Sequence, residues 1–478
     1  MMNQIFNKNL IILFWTITLS RIFSMIYIPL TDTTEARYGH IALLMAKTGD
    51  WITPYFDYNV PFWGKPPLSF WAEALSYKIF GIYDFAPRVP SLIVTLLTAW
   101  LIYIFLKKIS SKTSALLGVV IYSSMLLVYA LSGVILTDTY LTFSTTLSLI
   151  AFLMVIGGEK KYWDYLFFVG LGLGLLAKGP LALVIVGGII FIWILFSFKK
   201  RIKTILMFPL LKGTFLMLLI ALPWYILAEL KTPGFLHYFI VGEHFDRFVD
   251  SGWSGDLYGT SHKKPHGTIW LFWIYSSLPW GIMGLIVLLK NLFTKGGFLV
   301  TYTKLKEENI SLLVVWMLFV MLFFSMAGNI LWTYILPSLP AFAVILALYI
   351  YRDGGKFLNH KILYFNSFFV PIVTVLATIY ILFYPASIPT EKFLIKEYKT
   401  LSKDKIPIYF VQKQSFSTKY YMNRKIDEIS INRFNKLATT IESKYFFVIK
   451  KGNSSLIKNI SKFKKVYSSK RYVLFVYK

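Results

Sequence analysis

Apolar residues in this chain gather into runs of about 17–22 positions with hardly a charge, the length a helix needs to cross a hydrocarbon core of roughly 30 Å. Such windows predict about eleven spans, near residues 10–30, 91–106, 114–132, 138–156, 163–178, 180–198, 206–228, 268–289, 310–327, 330–350 and 362–384. Short re-entrant segments escape hydropathy, so the expected fold is a mainly α polytopic membrane protein of about 11–13 transmembrane helices. The first run, Leu10 to Leu30, lacks a small-residue cleavage site and reads as a retained anchor.

The loops between these windows alternate in charge. One set carries Lys107, Lys108, Lys112, Lys160, Lys161, Lys199, Lys200, Arg201, Lys203, Lys290, Lys295, Lys304, Lys306, Arg352, Lys356 and Lys361. The short loops of the other set hold almost no basic residue apart from Lys178. Positive loops stay in the cytoplasm, so the N-terminus is expected there. Two long loops, 31–90 and 229–267, then fall on the outer face with the tail. Beyond residue 384 the period changes: short apolar runs at Pro407–Val411, Tyr445–Ile449 and Val473–Tyr477 read as strands, with helical segments between them. The expected organisation is a transmembrane domain over 1–384 and a small C-terminal α/β domain over 385–478 on the periplasmic side. No internal repeat is evident, which counts against a secondary transporter.

Composition sharpens this reading. Of 478 residues only 15% are charged, against roughly 25% in a soluble domain, so a soluble enzyme is excluded. The excess of 50 Lys+Arg over 23 Asp+Glu would suggest nucleic acid in a soluble protein. Here it divides between the cytoplasmic loops and a tail with a net charge of +15, so membrane lipids are the expected partner and nucleic acid is not. The absence of cysteine removes disulfide and thiolate-metal roles.

Ionisable groups at membrane depth are costly, which makes them the first candidates for chemistry. The first outer loop opens Thr31-Asp32-Thr33-Thr34-Glu35-Ala36-Arg37-Tyr38. Asp32 and Glu35 share a face if this turn is helical; for Glu35 helix capping competes with catalysis, while Asp32 can act as a general base at the membrane edge. Lys65-Pro66-Pro67 fixes an ammonium in a rigid turn suited to phosphate, with a snorkelling interfacial lysine as the competing reading. Ser69 to Phe80 is amphipathic and is expected in the interface. The 251–267 stretch holds His262, Lys263, Lys264 and His266; it reads as a solvated loop, and with Glu243 and His244 nearby a divalent cation stays open as a cofactor.

These motifs together resemble one family. Asp32-x-x-Glu35-Ala36-Arg37-Tyr38, Gly49-Asp50-Trp51, Lys65-Pro66-Pro67-Leu68 and Phe85-Ala86-Pro87-Arg88-Val89-Pro90-Ser91 are similar to the first outer loop of the polyprenyl-phosphate-sugar-dependent GT-C glycosyltransferases. That family includes the lipid A aminoarabinose transferases and the dolichyl-phosphate-mannose protein mannosyltransferases. Val134-Ile135-Leu136-Thr137-Asp138, Leu176-Ala177-Lys178-Gly179-Pro180, Gly242-Glu243-His244-Phe245-Asp246-Arg247-Phe248, Ser277-Leu278-Pro279-Trp280 and Thr333-Tyr334-Ile335-Leu336-Pro337 extend the resemblance to about residue 350.

The resemblance implies an inverting glycosyltransferase of the bacterial inner membrane. It would move one sugar from a polyprenyl (undecaprenyl) phosphate carrier to lipid A or another envelope glycolipid. A protein acceptor is the alternative within the class, and a lipid-linked-sugar flippase the alternative outside it. Asp32 is the implied catalytic carboxylate, with Asp138 as helper and Glu35 as a third acid or a brace of the loop. Lys65, Arg247, Tyr334 and Lys178 are implied around the carrier phosphate, while Arg37 and Arg88 serve that site or brace the loop. Two departures stand out. Gly64 occupies the place of a glutamate that is a metal-ligand candidate in relatives, and Gly328-Asn329-Ile330-Leu331-Trp332 lacks two charges usual there.

Overall fold

The computed structural model describes the chain apart from residues 1, 160–161, 197, 251–252, 260–261, 294–307, 353–359, 404–405, 441–442, 459 and 478. Of the basic residues expected in the cytoplasm, Lys160, Lys161, Lys295, Lys304, Lys306 and Lys356 lie outside the described residues.

Every apolar window is helical, but the helices differ in reach. Among the described residues, Gln4–Tyr27, Ala86–Ile109, Asp138–Ile156, Leu210–Lys231, Trp332–Arg352 and Lys361–Phe383 are long and apolar enough to cross a membrane. Thr268–Ser276 and Trp280–Leu289 make a seventh if counted as one span bent by 109°. The bend falls at Ser277-Leu278-Pro279, where proline has no N–H to continue the helical ladder. Leu181–Leu195 and Asn309–Ser325 are shorter apolar helices. The 114–132 window breaks at Met125, whose extended backbone separates Lys112–Ser124 from Leu126–Leu131. Of the 11–13 expected helices, six or seven among the described residues therefore meet the length criterion by themselves, and shorter apolar helices stand beside them. Hydropathy counts apolar residues, whereas spanning also needs an unbroken backbone, and a helix enclosed by others need not cover the whole hydrocarbon thickness.

Helix Asp138–Ile156 is the buried centre, with nearly every residue from Asp138 to Val155 inside the protein. Its Thr142, Ser144 and Thr145 hydroxyls donate back to carbonyls one turn earlier, so these three are satisfied within the helix. Helix Trp163–Lys178 packs on it through glycines: a Cβ on Gly170 would stand 2.3 Å from Ser148 Oγ and 2.8 Å from the Ser144 carbonyl oxygen. Small residues let membrane helices approach closely enough for dispersion to replace the missing hydrophobic drive.

Both long loops and the tail gather at one end of the helices. Trp63 Nε1 donates to Thr232 Oγ1 at 3.1 Å, Lys231 pairs with Asp50 at 2.6 Å, and Lys392 of the tail pairs with Asp84 at 2.6 Å. Helices Thr34–Thr48 and Leu68–Phe80 share a core of Tyr38, Ile41, Phe62, Phe70 and Tyr77, which Tyr420 of the tail completes. The tail is a five-stranded sheet, in spatial order Glu428–Ile429, Ile408–Val411, Phe446–Lys450, Tyr472–Tyr477 and Phe463–Ser468. Its first pairings are parallel and its last two antiparallel. Alternation puts Phe410, Phe446, Val448 and Leu474 on one face under helix Lys392–Ser402, and Val411, Phe447, Ile449 and Phe475 on the other under Phe434. The three strands expected from alternation are all present; Phe463–Ser468 and Glu428–Ile429 are additional.

Gly170→Val should wedge these two helices apart and cost about 1–3 kcal/mol of overpacking strain. A lowered unfolding temperature in detergent checks this; an unchanged one would show that the interface yields freely.

Candidate active site

The turn ending in Pro66-Pro67 delivers Lys65 to a buried carboxylate on a distant segment. Lys65 Nζ lies 3.0 Å from Glu243 Oε2, and Arg247 Nη1 lies 3.1 Å from both Glu243 oxygens and 3.4 Å from Asp256 Oδ2. Glu243 and Arg247 sit at and just beyond the end of a π-helical stretch, His237–Asp246. Such wide turns are rare and cluster at functional sites, where they re-aim side chains. The Glu243 side chain is 5% exposed. Burial raises its carboxyl, but Lys65 and then Arg247 outweigh burial and hold it below the usual carboxylate range. Burial likewise lowers the Lys65 ammonium, yet Glu243, with Tyr38 and Tyr334, holds it above the usual lysine value.

A second pair stands beside the first. Lys178, the last residue of its helix, places Nζ 2.7 Å from Oδ1 of Asp138, the first residue of another, with both side chains 8% exposed. A cation at a helix C-terminus and an anion at an N-terminus are each favoured by the helix dipole. Lys178 Nζ also lies 4.7 Å from the centroid of the Tyr334 ring. His244 joins the two pairs: its Nδ1 is 2.7 Å from the Phe239 carbonyl oxygen and its Nε2 3.0 Å from that of Lys178. Burial lowers the His244 pKa by more than the two carbonyls raise it. The structure thus brings Lys65, Arg247, Tyr334, Lys178 and Asp138 together, with Glu243 and His244 as the links.

Asp32 faces elsewhere. Its side chain is 1% exposed and meets the tail domain: Ser417 N donates to Oδ1 at 2.9 Å, and the Ser417 hydroxyl and Arg471 Nη2 donate to Oδ2. Around it the Asp32 N–H donates to the Pro389 carbonyl at 2.9 Å, and the Leu30 N–H to the Tyr421 hydroxyl at 2.8 Å. Glu35 and Arg88 form a buried fork, Nε to Oε1 at 2.7 Å and Nη2 to Oε2 at 2.9 Å. Arg88 also donates to the Met25 and Pro29 carbonyls, so the fork braces the loop against the end of the first helix. Glu35 accepts from the Thr31 N–H at 3.2 Å as well, a local cap. Arg37 lies between the two long loops, donating to the Tyr258 carbonyl at 2.5 Å.

The metal candidates do not converge. Glu243 is taken by two cations, both His244 nitrogens meet carbonyls, and His266 Nδ1 lies 3.1 Å from the Ser325 carbonyl on an exposed segment. His262 is fixed through its backbone N–H, which donates to Asn329 Oδ1 at 2.8 Å. Among the described residues no group of three His, Cys, Asp or Glu could hold a metal ion. This donor set does not fit a metal, and Gly64 adds no ligand.

Several contributors escape sequence reasoning. Asn329 Nδ2 donates to the Arg247 and Asp250 carbonyls at 3.2 Å, holding the segment that carries the arginine. Asp256 had no motif to announce it, and Ser417 and Arg471 lie in the tail, outside the stretch that carries the resemblance. Tyr38 had a signal, as the last residue of the Glu35-Ala36-Arg37-Tyr38 run, and Asn329 one only as part of the departure at 328–332.

Residues 8–239 match the profile of the family described as dolichyl-phosphate-mannose-protein mannosyltransferase. The undecaprenyl phosphate-alpha-4-amino-4-deoxy-L-arabinose arabinosyl transferase of Aeromonas hydrophila is 31% identical over 327 residues, 67% of this chain and 56% of the relative. Its counterpart in Aeromonas salmonicida is 32% identical over the same shares. The chain thus spans little more than half the length of these relatives. The crystal structure of ArnT from Cupriavidus metallidurans bound to undecaprenyl phosphate has a TM-score of 0.74 at 15% identity, covering 98% of this chain and 97% of that one. The oligosaccharyltransferase AglB of Archaeoglobus fulgidus has a TM-score of 0.51 at 11% identity, covering 92% and 69%.

The chain is a multi-pass membrane protein of the GT-C fold. Within that fold it resembles the polyprenyl-phosphate-sugar-dependent glycosyltransferases, and most specifically the undecaprenyl phosphate-aminoarabinose transferases.

Because the folded-state pKa of Glu243 is depressed, its contribution to stability is full above the ordinary carboxylate value near 4.3 and is lost as pH falls through its own lower value. Glu243→Gln should therefore unfold at lower temperature than the parent at pH 7, with the gap closing toward pH 3. A gap independent of pH would mean that the charge of Glu243 is not what matters.

Proposed function

We propose that the protein is an inverting glycosyltransferase that takes a sugar from a polyprenyl phosphate and passes it to an envelope glycolipid, with lipid A the preferred acceptor. The observation that carries this reading is the gathering of Lys65 and Arg247 on Glu243 beside Lys178, which pairs with Asp138 and lies against the Tyr334 ring, at the loop-bearing end of a GT-C bundle. In the reaction the acceptor hydroxyl oxygen attacks the anomeric carbon while the bond from that carbon to the phosphate oxygen breaks. The phosphate leaves with the electron pair, and the cations stabilise its growing charge. The hydroxyl proton passes to a carboxylate.

Glu243 is occupied by Lys65 and Arg247, and Asp138, paired among the described residues with Lys178 alone at 2.7 Å, is the base in this proposal. Asp32, the carboxylate expected from the sequence, supports the site from its anchorage on Ser417 and Arg471. Arg37, Glu35 and Arg88 hold the first loop against which the carrier lies. The basic tail favours approach of a polyanionic acceptor. The charge pattern supports a cytoplasmic N-terminus with loops and tail in the periplasm, and the resemblance supports the inner membrane.

The test is sugar transfer by the chain reconstituted in nanodiscs, with undecaprenyl-phosphate-linked aminoarabinose as donor and lipid A as acceptor. Asp138→Asn should cut turnover by about 10²–10⁴-fold while carrier affinity changes little. Lys65→Ala should weaken carrier binding about tenfold or more. Asp32→Asn should lower turnover together with thermal stability, as an anchor would. Transfer undiminished in Asp138→Asn would overturn the assignment of the base. Carrier movement across the bilayer without transfer would favour a flippase, and transfer only to a protein hydroxyl would replace the acceptor.

A further inference from the structure

A second polar cavity, of about 250 Å³, lies where the first long loop meets the tail domain, and the reaction just described leaves it unused. His40, Asp57 and Tyr58 of the loop line one side; Gln414, Arg424 and Asp427 of the tail line the other. Helix Thr34–Thr48 carries His40, which is 3% exposed, and neither of its ring nitrogens has a hydrogen-bond partner among the described residues. Buried polar atoms are nearly always paired, so an orphaned imidazole lining a cavity points to a ligand or to ordered water. Burial pulls the His40 pKa down to about 4 despite Asp57, with Lys419 and Lys47 acting in the same direction as burial. At physiological pH the ring is neutral: one nitrogen donates and the other accepts.

The lining selects among ligands. Its three cations, Lys419, Arg424 and Lys425, are equalled in number by the carboxylates Asp57, Asp427 and Glu428, and Lys419 is committed to Asp57. A phosphate or other polyanion therefore meets no surplus of positive charge. A metal ion is excluded by the same count as before, since no group of three ligands is present among the described residues. What remains is a mosaic of donors and acceptors, with the Tyr58 ring edge-on to His40 at 6.4 Å. Hydroxyl groups, each both donor and acceptor, satisfy such a mosaic and a neutral imidazole together. The volume exceeds that of several waters at about 30 Å³ each and falls below the roughly 300 Å³ at which drug-sized pockets begin. One sugar ring fits between those limits.

We propose that this cavity is a saccharide-binding subsite, taking one uncharged sugar ring between the first loop and the tail. Two sources supply that chemistry: the glycan of a membrane glycolipid, and a free saccharide. The proposal stands apart from sugar transfer, because its readout is binding and needs neither donor nor turnover.

Saturation-transfer NMR on the full chain in nanodiscs tests it, with glucose and N-acetylglucosamine as free probes and nanodisc-embedded lipid A as the glycolipid probe. Ring-proton signals are expected in the parent, absent in His40→Leu and weakened about tenfold in affinity in Asp427→Ala, an exposed position that can change without loss of the fold. Signal from the free sugars as well as lipid A, or from lipid A alone, supports the subsite and identifies its source. No signal from any probe, or equal signals in the parent and both variants, would overturn it; the second result would mean that water fills the cavity and the sugars bind elsewhere.

Discussion

A carboxylate survives inside a protein only with positive charge against it, and Glu243 meets that condition with two cations from separate stretches of chain. This single arrangement fixes where the Lys65 turn stands relative to the 229–267 loop. The residue after Glu243 extends the constraint, since His244 reaches the carbonyl of Lys178 and so sets the second ion pair. Two consecutive residues on a π-helical turn therefore position both halves of the site. In the proposed reaction a carrier phosphate competes with Glu243 for cations already engaged. Binding is then an exchange of one anion for another, and the cost of burying positive charge has been met before the carrier arrives.

Much of this was legible in the sequence wherever the signal is local. Lys65 is announced by the two prolines that stiffen its turn, and the bend at Pro279 by the residue itself. The tail strands are announced by alternation, as at Phe446–Lys450, where Phe446 and Phe447 point to opposite faces. The edge strand Phe463–Ser468 was hidden because Lys464 and Lys465 are both exposed and break the pattern. The break at Met125 was hidden because an apolar residue in an extended conformation has the same hydropathy as one in a helix.

Pairings across great sequence distance were the least legible. Glu243 reads as a metal-ligand candidate until its two cations are seen, one of them 178 residues away. Asp32 reads as a free carboxylate at the membrane edge, and only the fold brings Ser417 and Arg471 to it. Glu35 and Arg88 lie closer in sequence, within one loop, and a bracing role for both was already open to the sequence. Motif position identifies which residues matter, whereas the partner that defines each role comes from topology.

The contact between Asp32 and Arg471 closes a loop of 439 residues. During synthesis the opening of the first long loop leaves the ribosome long before Arg471, which neutralises its carboxylate. Closure over so great a separation is slow and comes late, because its entropic cost precedes any contact that offsets it. The first loop therefore remains provisional until the sheet has folded beneath it. A defect in that sheet would register as a misplaced first loop, because Ser417 and Arg471 are what hold Asp32 in place.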